Sequence, residues 1–131
     1  NLNEQYTLGD DYGTSNITQW RDQISIATAG TTIDLQDLTS KAFGGTGTMV
    51  FTSVSVVYLC NKGTESITAF QTVSNQWTNM VGGSVVLPAK ASFYATTPTA
   101  WDVTATNKDI KFSSTGSEAV LLDVIVMGVS T

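Results

Sequence analysis

Val54-Ser55-Val56-Val57-Tyr58-Leu59-Cys60, halted by Asn61-Lys62-Gly63, is the stretch that decides the fold. Its β-branched and aromatic side chains suit a pleated, partly buried strand, and the run is too short for a buried helix. Asn and Gly tolerate the tight backbone of a turn, so the chain reverses directly after it. The same pairing of apolar run and turn signal recurs to the C-terminus. Ser66–Phe70, Ser84–Leu87 before Pro88, Ser92–Ala95 before Pro98, Trp101–Ala105, Ile110–Phe112 and Ala119–Met127 before Gly128 all read as strands. Turn signals every eight to twelve residues or so indicate an antiparallel sandwich or barrel.

Working back from this run, Thr31–Leu35 reads as a short strand, and Phe43-Gly44-Gly45-Thr46-Gly47 as a non-helical link. Strict alternation from Val50 puts Val50, Thr52, Val54, Val56, Tyr58 and Cys60 on one face of the long strand. Phe51, Ser53, Ser55, Val57 and Leu59 fall on the other. From Ser15 or Asn16 to Ile26, the spacing of Ile17, Trp20 and Ile24 predicts one short helix, against a β-ribbon favoured by Thr18, Ile24 and Ile26. Residues 1–15 form an extended arm, with Tyr6, Leu8 and Tyr12 as its anchors. Residues 16–131 form the single domain, an all-β antiparallel sandwich of the jelly-roll kind.

A chain of 131 residues is the size of one domain. Charged residues are only 13%, about half the usual share, while Ser and Thr make up roughly a quarter of the chain. The net charge is −5, and the 6 basic residues are scattered. Nucleic-acid binding draws most of its non-specific affinity from a basic patch, so a nucleic-acid partner is excluded, as is a polybasic hold on membranes. No apolar stretch approaches the length of a spanning helix.

With no His in the chain, the usual nucleophilic triads and the usual zinc sites have no imidazole. Gly44-Gly45-Thr46-Gly47 lacks the Lys and the following helix of a phosphate-binding loop. Paired carboxylates can hydrolyse glycosides, and Asp10 with Asp11, Asp34 with Asp37, and Asp102 with Asp109 are the candidates. None has the surroundings for it. The first two pairs could also ligate calcium, but exposed acidic loops account for them better. Cys60, the only cysteine, reads as a small buried hydrophobe. The expectation is a protein with no catalytic residues, no metal and no cofactor.

Three aromatic residues are candidates for contact with a partner or a sugar. Trp101 alternates with Val103 and Ala105 and reads as core. Tyr94 lies near a predicted loop, and Trp77, flanked by polar residues, reads as exposed or interfacial. The final run is apolar on both faces except at Asp123, so it belongs in a covered, central position. Asp123 is then a sheet-end charge or a carboxylate paired with a Lys.

The segments SVVYLCNKGTESITAF, SVVLPAKASFYATTP and WDVTATNKDIKFSSTGSEAVLLDVIVMG resemble small β-sandwich structural proteins of tailed-bacteriophage virions. Asn61, Gly63, Leu87, Pro88, Phe93, Trp101 and Gly128 carry the resemblance, which covers somewhat over half the chain. It implies a head decoration protein, or a tail or spike component, on the external particle surface. Such proteins work as symmetric oligomers, here expected to be a homotrimer, bound to capsid or tail lattice proteins. The first fifty residues do not match and are expected to dock on the particle. Two other readings stay open: a carbohydrate-binding adhesin that contacts a surface glycan through Trp77, and a filament protein that polymerises by strand addition.

Overall fold

The computed structural model describes residues 4–5, 17–40, 47–80 and 83–130. Eleven strands follow in order: β1 (Glu4–Gln5), β2 (Ile17–Ile26), β3 (Thr31–Asp34), β4 (Leu38–Ser40), β5 (Gly47–Met49), β6 (Phe51–Asn61), β7 (Ile67–Gln71), β8 (Val85–Leu87), β9 (Ser92–Asp102), β10 (Asp109–Ser114) and β11 (Val120–Ser130). No helix occurs among the described residues. A five-stranded sheet, A, has the order β1-β2-β11-β6-β9, and a four-stranded sheet, B, the order β3-β10-β7-β8. β4 and β5 form a hairpin of their own.

Set side by side, the two orders show how the chain is wrapped. β2 corresponds to β3, β11 to β10, β6 to β7 and β9 to β8, so every strand of sheet A but β1 answers its sequence neighbour in sheet B. All ladders are antiparallel. A long ribbon rolled up in this manner is a jelly roll. One core joins the sheets: Trp20, Phe51, Val57, Leu122, Val124 and Val126 of sheet A share it with Ile67, Phe70, Ile110 and Phe112 of sheet B.

The helix expected from residue 15 or 16 to Ile26 is a strand. β2 pairs with β11 along its whole length, from Ile17 opposite Val129 to Ile26 opposite Val120. Its burial alternates, with Thr18, Trp20 and Ile26 buried and Arg21, Gln23 and Ser25 exposed. The apolar spacing fits either period over so short a stretch, and the long ladder with β11 decides it.

The alternation expected within β6 breaks at two bulges. Against β11, the register passes from Val56–Met127 to Val54–Gly128, and from Ser53–Val129 to Phe51–Ser130. Ser55 and Thr52 are left unopposed, and the buried set becomes Phe51, Val54, Val57, Leu59 and Asn61. Gly128 lies at the first bulge, where a Cβ would come within 2.0 Å of the Ser53 carbonyl oxygen. β9 likewise does not end at Pro98 but runs on to Asp102. Against β6 it jumps from Thr96–Val56 to Trp101–Val54, so Pro98 sits in the bulge, where no ladder N–H is required.

β11 is central in sheet A, as its doubly apolar pattern requires. The edge strand β9 is blunted: Thr97 Oγ1 donates to the Thr99 carbonyl at 2.7 Å, so a side chain occupies a backbone group that an incoming strand would need.

Candidate functional site

Trp77, expected at the surface, is fully buried at 0% exposure. Its backbone N–H donates to the Asp109 carbonyl at 2.8 Å and its indole N–H to the Asp102 carbonyl at 2.9 Å. Trp101, half-buried, meets it edge-on with ring centroids 6.0 Å apart. The polar neighbours that suggested exposure act as braces. Asn107 accepts from the Thr78 N–H and donates to Asn79, which donates to the Asp102 carbonyl, each at 2.9 Å. Satisfied in this way, the indole can sit under a polar loop. Tyr94, by contrast, is 63% exposed on β9. Tyr6, Leu8 and Tyr12 lie outside the described residues.

The carboxylates are not paired as the sequence spacing suggested. Asp34 on β3 faces Asp109 on β10, directly opposite in register. Lys108 Nζ bridges to Asp34 Oδ2 at 2.5 Å. Burial, and then the charge of Asp34, push the Asp109 carboxyl above its ordinary value, with Lys108 pulling it back. The bond to Asp34 holds the Lys108 ammonium above its own ordinary value. Asp34 also accepts from the Gln36 N–H at 2.8 Å, closing the turn after β3. This is a corner staple. Asp102 contributes its carbonyl to the Trp77 loop, while Asp10 and Asp11 lie outside the described residues. No cluster of three or more metal-ligating side chains occurs among the described residues.

The outward face of sheet A offers more chemistry. The register places its side chains in rows across β2, β11, β6 and β9. One row runs Gln23, Asp123, Cys60, Ser92; the next runs Arg21, Ile125, Tyr58, Tyr94; a third runs Gln19, Met127, Val56, Thr96. Toward β2, the first two rows border a cleft of about 460 Å³ lined by Arg21, Asp22, Gln23, Tyr58, Asp123 and Ile125. Asp123 is thus neither a sheet-end charge nor a partner of a Lys: it accepts from the Gln23 amide at 2.8 Å. Tyr58 and Ser92 share a hydrogen bond between their hydroxyls at 3.2 Å. Cys60, expected to be buried, is half-buried on this same face.

Of the residues singled out from the sequence, Asp123 lines this cleft, and Tyr94 lies beside it, opposite Tyr58. Arg21, Gln23 and Tyr58 were missed because they come from different strands and meet Asp123 only through register. The legible signal was the polar alternation Gln19, Arg21, Gln23, Ser25, which needs residues 17–26 to be extended. No protein-family model matches the chain, and no curated protein is significantly similar to it.

Proposed function

We propose that this chain is a structural protein of a virion, a capsid decoration subunit or a related head or tail component. In this reading it forms a symmetric oligomer, a trimer, on the external surface and docks on the shell or tail lattice. The observation that carries the reading is β11. Its inward residues Val120, Leu122, Val124 and Val126 fill the core, yet Leu121, Ile125, Met127 and Val129 on the outward side are also apolar and remain half-exposed or exposed. A strand apolar on both faces belongs to a sheet covered on both sides.

A second copy of the chain is the occupant we assign to the lower part of that face. Val56 and Ile17 continue the apolar band to the corner where Glu4 and Gln5 pair with Gln19 and Thr18. Burying the band would therefore bury the base of the N-terminal arm with it. The jelly-roll wrap, used by capsid subunits and lectins among others, adds support by analogy of fold alone. A net charge of −5 favours an outer surface over contact with packaged nucleic acid. Polymerisation by strand addition has less support, because a side chain already occupies a backbone group on the edge strand β9.

Light scattering on the purified chain, with negative-stain images of virions mixed with it, tests the reading. A trimer that decorates particles is expected. Deletion of residues 1–15, or Met127→Asp, is expected to weaken both assembly and docking. A monomer whose docking survives both changes would remove the basis of the proposal.

A further inference from the structure

We infer that the upper, polar half of the outward face of sheet A is a binding cleft for a neutral oligosaccharide. This goes beyond the structural role and does not depend on it. The cleft of about 460 Å³ falls within the range of small-ligand sites. Together with Tyr94, which stands beside it opposite Tyr58, it offers two kinds of group that a sugar requires at once.

The first is a pair of aromatic side chains. Tyr58 and Tyr94 stand directly opposite each other on β6 and β9. Tyr94 is 63% exposed, a large apolar surface that the core does not use. Tyrosine gives a rigid contact area with little rotamer freedom to lose, and the C–H face of a pyranose packs on such a ring. Ile125 continues this surface toward β2.

The second is a fixed set of polar groups. The Gln23 amide donates to one oxygen of Asp123, which orients both side chains before any ligand arrives. The other Asp123 oxygen and the Gln23 carbonyl oxygen have no hydrogen-bond partner among the described residues, and each can accept from a sugar hydroxyl. Such prior orientation lowers the entropic cost of binding. Asp22 and Asp123 outnumber Arg21 in the lining, so an anionic ligand is disfavoured and a neutral one fits. From β2 to β9 the outward face crosses four strands, about 14 Å at the usual strand spacing, which suits a chain of rings better than one monosaccharide.

The test is calorimetric titration of the whole chain with short gluco-, galacto-, manno- and N-acetylglucosamine-based oligosaccharides. Saturable binding of at least one is expected. Tyr94→Ala and Gln23→Ala should each weaken it at least tenfold with the melting temperature unchanged, and Val86→Ala, on sheet B, should leave it intact. The inference is overturned if no oligosaccharide binds at millimolar concentration. It is also overturned if binding is indifferent to both cleft variants, or if Val86→Ala weakens it equally. Docking of the parent chain on virions separates the two proposals: a parent oligomer that decorates particles but binds no sugar refutes this inference and leaves the structural role standing, whereas cleft variants that lose the sugar yet still decorate support both.

Discussion

The side-chain amide of Asn61 donates to the carbonyl oxygen of Leu87 at 3.0 Å, joining the end of β6 in sheet A to β8 in sheet B. The same amide donates to the Glu65 carbonyl at 2.7 Å, and Asn61 Oδ1 accepts from the Gly63 N–H at 2.9 Å. Asn61 is fully buried, so this one side chain closes the β6–β7 turn and ties it across the sandwich. Each bond contributes about 1 kcal/mol net, and a buried carbonyl left unpaired costs more. Asn61→Ala is therefore expected to destabilise the fold by about 3 kcal/mol in urea unfolding. Lys62→Ala, whose exposed side chain makes no hydrogen bond among the described residues, should change it by less than about 0.5 kcal/mol.

Gly63 beside it is a packing requirement. A Cβ there would lie 2.3 Å from Val120 Cγ1. The Asn-x-Gly pattern and Leu87, noticed in the sequence as parts of a recurring cadence, are thus one bonded unit. Local signals of this kind were readable because turn chemistry and strand alternation act over a few residues. The strand order, with β11 between β2 and β6, comes from pairings roughly 60 to 110 residues apart, and only the doubly apolar pattern of β11 hinted at it. The cleft was least legible. Gln23 and Asp123 have no sequence signature that joins them, and the bulges that phase β6 depend on backbone fit at Gly128.

That fit gives the next expectation. The backbone of Ser53 and Val54 crowds Gly128, leaving no flexible side chain to yield to a methyl group. Gly128→Ala is expected to cost about 3 kcal/mol through overpacking at the β6–β11 bulge, measured as a lowered urea midpoint with unchanged slope.

Trp77 decides between a surface aromatic and a core one. Trp77→Ala removes a fully buried ring, its edge-on contact with Trp101 and the bond to the Asp102 carbonyl. A loss of about 3–5 kcal/mol is expected in thermal or urea unfolding. Tyr94→Ala, at an exposed site, should fall within about 0.5 kcal/mol of the parent. If Trp77→Ala left stability untouched, the indole would have to be outside the core.

The corner where Asp34 meets Asp109 predicts how stability varies with pH. The Asp109 carboxyl lies above its ordinary value of 3.8, first through burial and then through Asp34 opposite. Between the ordinary value and the raised one, the folded chain holds this proton more tightly than the unfolded chain. Stability from this group therefore falls as pH climbs from about 3.8 through the raised value, and the cost persists at neutral pH. Asp109→Asn keeps the backbone bonds to Asn75 and Trp77, removes the charge, and should raise the melting temperature at pH 7. Lys108 acts at the other end of the scale. Its ammonium is held above 10.5 by Asp34, so its favourable contribution is complete below that value and is lost as pH rises through the higher folded value. Melting curves taken from pH 3 to 11 should show Asp109→Asn flattening the acid-side decline. Lys108→Met should flatten the alkaline one and, by removing the charge that pulls the Asp109 carboxyl back, carry the acid-side decline to higher pH. If Asp109→Asn lowered the melting temperature at pH 7, the ionised carboxylate would be stabilising the corner, and the raised proton affinity assigned to it would be wrong.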